Sequence, residues 1–226
     1  RTPVGLTLRL QRGTIIGWSL GVLAFSVFFG SISVAMADLL AGTGDFAAAF
    51  LGISDDFVNG LLAFLTMMIA LVVSAFALQS TDTIRTEEAT GRAELQWSRA
   101  ISRTRWALSR IVVPAAISLV LLAVSGFVIG STFGATIDDP DQAMRFATAS
   151  LAYWPSVLLM IGFAVFCAAW LPRAASAATW GVYAVVVMVT MFGDLFSLPD
   201  WVIDNSPFAA VSRVGEVEPH ARNSHG

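Results

Sequence analysis

Side chains able to do acid–base, nucleophilic or metal chemistry are few in this sequence, and they are scattered. The two histidines, His220 and His225, fall in the polar stretch VSRVGEVEPHARNSHG, and the single cysteine, Cys167, falls inside an apolar run. A serine–histidine pair, two carboxylates sharing a proton or a metal site each needs such groups close together. No long apolar run holds a His, Asp or Glu in its central part. The expectation is no catalytic residue, no metal and no cofactor. One cysteine also excludes a disulfide framework within the chain. All thirteen residues of the Lys+Arg count are Arg. A phosphate-cradling P-loop needs a lysine after its glycines, so any ATP must be hydrolysed by another chain.

Polar chemistry is concentrated in one place. The stretch TEEATGRAELQWSRAISRTRW, residues 86–106, carries three acids, four arginines and two tryptophans. Glu88 and Arg92 are spaced i,i+4 in the favoured order, worth about 0.2–0.5 kcal/mol on a helix. Trp97, Ile101 and Leu108 form an apolar stripe at helical spacing. Gly91 interrupts the pattern, and Ser102 is placed to cap a second helix. The spacing predicts a helix–break–helix elbow. Two readings fit it. Arginines and tryptophans beside a membrane meet anionic lipid and headgroups. Glu87, Glu88 and Glu94 would be repelled by such lipid, and mixed charges suit a protein partner whose complementary patch sets the register.

The elements that must hold this stretch are apolar. Of the 226 residues 56% are hydrophobic and only 13% charged, about half the roughly 25% of a soluble domain. Five runs reach the roughly 20 residues that cross a bilayer: 14–36, 57–79, 111–134, 146–171 and 175–192. Backbone polar groups cannot stay unpaired in lipid, so each run should be a helix. A kink is expected at Pro155. The connections alternate in charge. Arg1, Arg9 and Arg12 precede the first run, Arg85 to Arg110 lie between the second and third, and Arg173 lies between the fourth and fifth. Acids fill the opposite connections: Asp38, Asp45, Asp55 and Asp56; then Asp138, Asp139 and Asp141; then Asp194, Asp200 and Asp204. Arginine-rich loops stay in the cytoplasm, which places the N-terminus and residues 86–106 inside.

The runs themselves suggest packing rather than catalysis. Gly17 and Gly21 form one GxxxG, and Gly126, Gly130 and Gly134 form a doubled one, each set on a single helix face. Such glycines serve packing within the chain or between subunits. Met67, Met68, Met160, Met188 and Met191 are either core and lipid-facing residues or the lining of an adaptable apolar path. Ion-coupled transport commonly uses a carboxylate or histidine within the bilayer. The runs offer only hydroxyls and amides, such as Thr66, Ser118, Ser125, Ser156 and Thr190, which weighs against that mechanism.

The motif E-E-x-x-G-R-A-E at 87–94, followed by S-R-x-R-W at 102–106, resembles the first cytoplasmic loop of type-2 ABC exporter permeases. RLQRGTIIGW at 9–18 and LPDWVIDNSPF at 198–208 are similar to the bacterial polyketide-antibiotic and multidrug branch. The resemblance implies an all-α polytopic transmembrane bundle with an amphipathic N-terminal helix and a cytoplasmic coupling helix. Five spans are visible of a six-span unit. It implies that Glu87, Glu88, Gly91, Arg92 and Glu94 dock on a separate ABC ATPase subunit. Further partners would be a second permease half or a second copy, the bilayer and a hydrophobic small molecule, but no nucleic acid. Residues 1–208 would form the permease domain, and 209–226 a disordered polar tail. With Arg1 in place of a starting Met, no cleavable signal and no sixth span, the chain reads as the second half of a longer permease in a bacterial cell membrane. An ion-coupled transporter and a non-transporting membrane scaffold are the rival readings.

Overall fold

The computed structural model describes residues 3–41, 57–87, 103–171, 173–192 and 208, and every regular element among them is an α-helix. In chain order these are α1 (Pro3–Ala41), α2 (Phe57–Glu87), α3 (Arg103–Ile137), α4 (Gln142–Leu151), α5 (Trp154–Trp170) and α6 (Ala175–Phe192). Five stretches are long and apolar enough to cross a membrane: Gln11–Ser33, Leu61–Asp82, Ile111–Ile137, Gln142–Trp170 and Ala175–Phe192. The chain is a multi-pass membrane protein, and its spans match the five apolar runs.

The helices outrun the runs that nucleate them. The amphipathic N-terminal segment is continuous with the first span in one 39-residue helix, roughly 60 Å long at the α-helical rise. Likewise α2 continues past its span to Glu87, and α3 begins at Arg103, ahead of its span at Ile111. Helix therefore approaches the charged loop from both sides. Residues 88–102 of that loop lie outside the described residues, as do 209–226.

The fourth span departs from the expected single helix over 146–171. It begins at Gln142 and is split into α4 and α5 by a turn at Ala152 and Tyr153. Pro155 supplies the reason: it has no N–H to give the carbonyl of Leu151, and its ring clashes there. The chain tightens instead. Tyr153 N–H bonds the carbonyl of Ser150 at 3.2 Å, and the helical ladder resumes with Val157 N–H on Tyr153 at 3.2 Å. The early start follows from the preceding corner. Asp138 adopts φ 59°, and Asp139 N–H returns to the carbonyl of Gly134 at 2.9 Å, a left-handed helix stop. Asp139 then accepts from Asp141 N–H at 3.1 Å and from Gln142 Nε2 at 2.8 Å.

At the centre of the bundle is α2, which touches each of the other five helices. Of its span 67% is buried, against 17% for α1 and 11% for α6. Leu62, Ile69, Val73 and Phe76 of α2 meet Leu122 and Ile129 of α3 and Val157 and Ile161 of α5 in one core. The outer faces carry exposed Ile16, Leu20, Phe28, Val120, Phe127, Leu159, Val185 and Met188. Apolar residues facing outward on a bundle of membrane-spanning length face lipid.

Candidate functional site

The two ends of the bundle are built differently. We call them the arginine end, with Arg9, Arg12 and Arg173, and the aspartate end, with Asp138, Asp139 and Asp141.

The aspartate end is joined by backbone approach. A Cβ added at Gly126 would strike the carbonyl of Phe146 and the Ser150 side chain, and one at Gly130 would strike the backbone of Gln142 and Ala143. At Gly134 it would meet the carbonyl of Asp139. The three glycines form the trough in which α4 lies against α3. Gly30 of α1 likewise sits on Ile129 and Thr132 of α3, a contact the sequence reading did not single out. Gly17 and Gly21 differ, because nothing lies within 4 Å of a Cβ built at either. They open onto a groove of about 490 Å³ between α1 and α2, with Trp18, Phe25, Ile69 and Val72.

The arginine end is joined by side-chain hydrogen bonds that converge on the last turns of α2. Toward α1, Gln11 donates Nε2–H to the carbonyl of Ser80 at 2.9 Å, and Ser80 Oγ donates to Gln11 Oε1 at 2.6 Å. Both residues are buried. Trp18 donates its indole N–H to Gln79 Oε1 at 2.8 Å and tilts over Phe76, the ring centres 6.2 Å apart. Phe76, Gln79 and Ser80 share one face of α2, as i, i+3 and i+4 must. Toward α6, Asp82 Oδ2 accepts from Ser176 Oγ at 2.5 Å and from Trp180 Nε1 at 3.2 Å. Tyr183 O–H donates to the carbonyl of Leu71 at 2.7 Å. Ser176, Trp180 and Tyr183 fall at i, i+4 and i+7, a polar seam on an otherwise apolar helix.

This hub lies in the turns of α2 that lead to its end. Glu87 is the last residue of α2. The side chain of Glu87, and all of Glu88, Gly91, Arg92 and Glu94, lie outside the described residues, as do Trp97, Ile101 and Ser102. Ser80, Asp82, Ser176 and Trp180 of the hub were not singled out from sequence. Two signals could have found them: the polar cluster QSTD at 79–82 closing a span, and the heptad spacing of the α6 donors. The methionines do not gather on one lining, since Met160 is buried in the core and Met188 faces outward. The spans' hydroxyls mostly serve their own helices, as with Thr66 on Leu62 at 2.8 Å and Ser125 on Leu122 at 3.0 Å. Among the described residues no group of three or more His, Cys, Asp or Glu side chains gathers.

Comparison with known proteins gives two findings. A family model described as "Multidrug efflux system permease Rv1217c, C-terminal domain" matches residues 1–222. The chain is also 30% identical over 227 residues to the multidrug efflux system permease protein Rv1217c of Mycobacterium tuberculosis strain H37Rv, covering 94% of this chain and 39% of that protein. The chain thus spans about two fifths of the length of the curated relative it matches.

Proposed function

The chain belongs to the Rv1217c-type family of multidrug efflux permease C-terminal domains, and from that premise we propose that it is a membrane-spanning part of an ATP-driven ABC exporter. The substrate would be amphipathic or drug-like and hydrophobic, moved out of a bacterial cell by alternating access. The N-terminus and the loop after α2 would face the cytoplasm. ATP would be hydrolysed by a separate ATPase subunit, and the pore completed by another permease half or a second copy of this chain. Residues 209–226 would be a polar tail outside the permease domain.

The observation that carries the reading is the mixed-charge segment holding Glu87, Glu88, Gly91, Arg92 and Glu94, entered and left by helices that overrun their spans. Work can enter a bundle of this kind only through contacts that differ between two states of the partner. Lipid anchoring would not call for the three acids.

The test is co-purification. The full transporter is expected to bring down an ATPase that is lost when Glu87, Glu88 and Arg92 are changed to Ala, with the mutant still folded by size-exclusion profile and melting. An undiminished complex would defeat the docking assignment. Export that survives ATP depletion but stops when the ion gradient collapses would replace the exporter by an ion-coupled carrier.

A further inference from the structure

We propose that Asp82 is a positioning residue: through Ser176 and Trp180 it ties the first turns of α6 to the end of α2, so that a displacement delivered to the 88–102 loop moves α6 with α2.

Like α1, α6 is a little-buried span tied to α2 by side-chain hydrogen bonds. Only 11% of it is buried, its buried residues being Ala175 and Thr179 near its start. Val182, Val185 and Met188 face outward. Tyr183, Val186, Val187 and Met191 are partly buried against the core, so apolar packing holds α6 along one face only. The bonds that do fix it run to α2: Ser176 and Trp180 to one carboxylate oxygen of Asp82, and Tyr183 to the carbonyl of Leu71. Leu71 and Asp82 lie three turns apart on the same face of α2. The Asp82 carboxylate also lies beside the first turn of α6, where unpaired backbone amides favour negative charge. An ionised acceptor shared by two donors is stronger and more directional than neutral pairs.

Position gives the clamp its consequence. Asp82 closes the span of α2, and α2 runs on as one helix to Glu87, the first residue of the proposed docking element. A push on that element therefore reaches Asp82 through unbroken helix. With Asp82 engaged, α6 follows; with Asp82 lost, the Ser176 and Trp180 ties to α2 go and the Tyr183 bond remains. The transmission half of this inference rests on the exporter reading; the clamp itself does not.

The test uses the complete transporter with its native partners in proteoliposomes, carrying Asp82→Ala, Asp82→Asn, Ser176→Ala or Trp180→Phe. Two readouts are taken. The first is the rate at which a maleimide alkylates Cys167, followed by mass spectrometry of its peptide. Cys167 is 2% exposed and lies on α5, the helix against which α6 packs. The second is substrate exported per ATP hydrolysed. Asp82→Ala should raise the alkylation rate about tenfold, as expected when a charge-assisted bond that limits local opening is lost. It should lower export per ATP about tenfold, a usual size for coupling between sites. Asp82→Asn, which keeps an acceptor oxygen, should restore much of both. Ser176→Ala and Trp180→Phe should each give part of the effect, and they decide the matter if Asp82→Ala does not fold. Unchanged alkylation in the folded variants overturns the clamp, whatever drives transport. Raised alkylation with unchanged export per ATP overturns its role in transmission. Failure of the exporter reading would show separately, as wild-type export that needs no ATP.

Discussion

Gly130 and Gly17 have the same side chain and the same GxxxG context, yet different surroundings. A methyl group at Gly130 would fall on the backbone of Gln142 and Ala143, whereas one at Gly17 meets nothing within 4 Å. Gly130→Ala should therefore lower stability by about 1–3 kcal/mol, the usual cost of overfilling a tight contact. Gly17→Ala should stay within about 0.5 kcal/mol of wild type, as substitutions away from packing usually do. Melting temperatures in a mild detergent check both. The motif could be read from sequence, but its partner could not. Four-residue spacing says that a helix surface is smooth, and only the fold says whether another backbone lies on it. Asp138 has a similar lesson: its φ of 59° follows from the need to turn α3 into α4 within a few residues, and D-D-P-D carries no unique signal for it.

At the scale of elements, the five spans were legible because uncharged runs of such length have no other stable fate in lipid. Pro155 marked a disturbance, but not its form. The first turn of α4 carries Gln142 and Arg145, so the apolar pattern begins only at Phe146, and sequence placed the span's start too late. The spacing of the polar seam on α6 is visible in sequence, but its acceptors are not. Tyr183 bonds a backbone carbonyl, and backbone acceptors leave no trace in a sequence. The charged loop stood out by composition alone, although its residues 88–102 lie outside the described residues. One prediction belongs to the break itself. Pro155→Ala restores an amide that can reach Leu151, so α4 and α5 should join. Hydrogen exchange over residues 151–156 should slow about tenfold, in keeping with a regained ladder bond. The same change should loosen Tyr153 from Phe208, whose rings now stack at 6.4 Å. Exchange that is unchanged would mean that packing, not the proline, sets the break.

For the whole molecule, the segregation of arginines and aspartates predicts an orientation that labelling can read. A cysteine placed at Asp139 should react with an impermeant maleimide on intact cells, and one at Arg173 only after permeabilisation; the reverse pattern would invert the topology. Cys167 is buried and should add little background. The open flank at Gly17 and Gly21 then acquires a meaning for solutes rather than for helices. Backbone contact closes α1 and α4 each against α3 in the aspartate half, while the groove beside Trp18 opens sideways in the arginine half. To a molecule dissolved in the bilayer, the described residues offer this groove and a second one along Leu20, Ala24, Val27 and Ser31 of α1. The depth at which such a compound lies would set which of the two it meets.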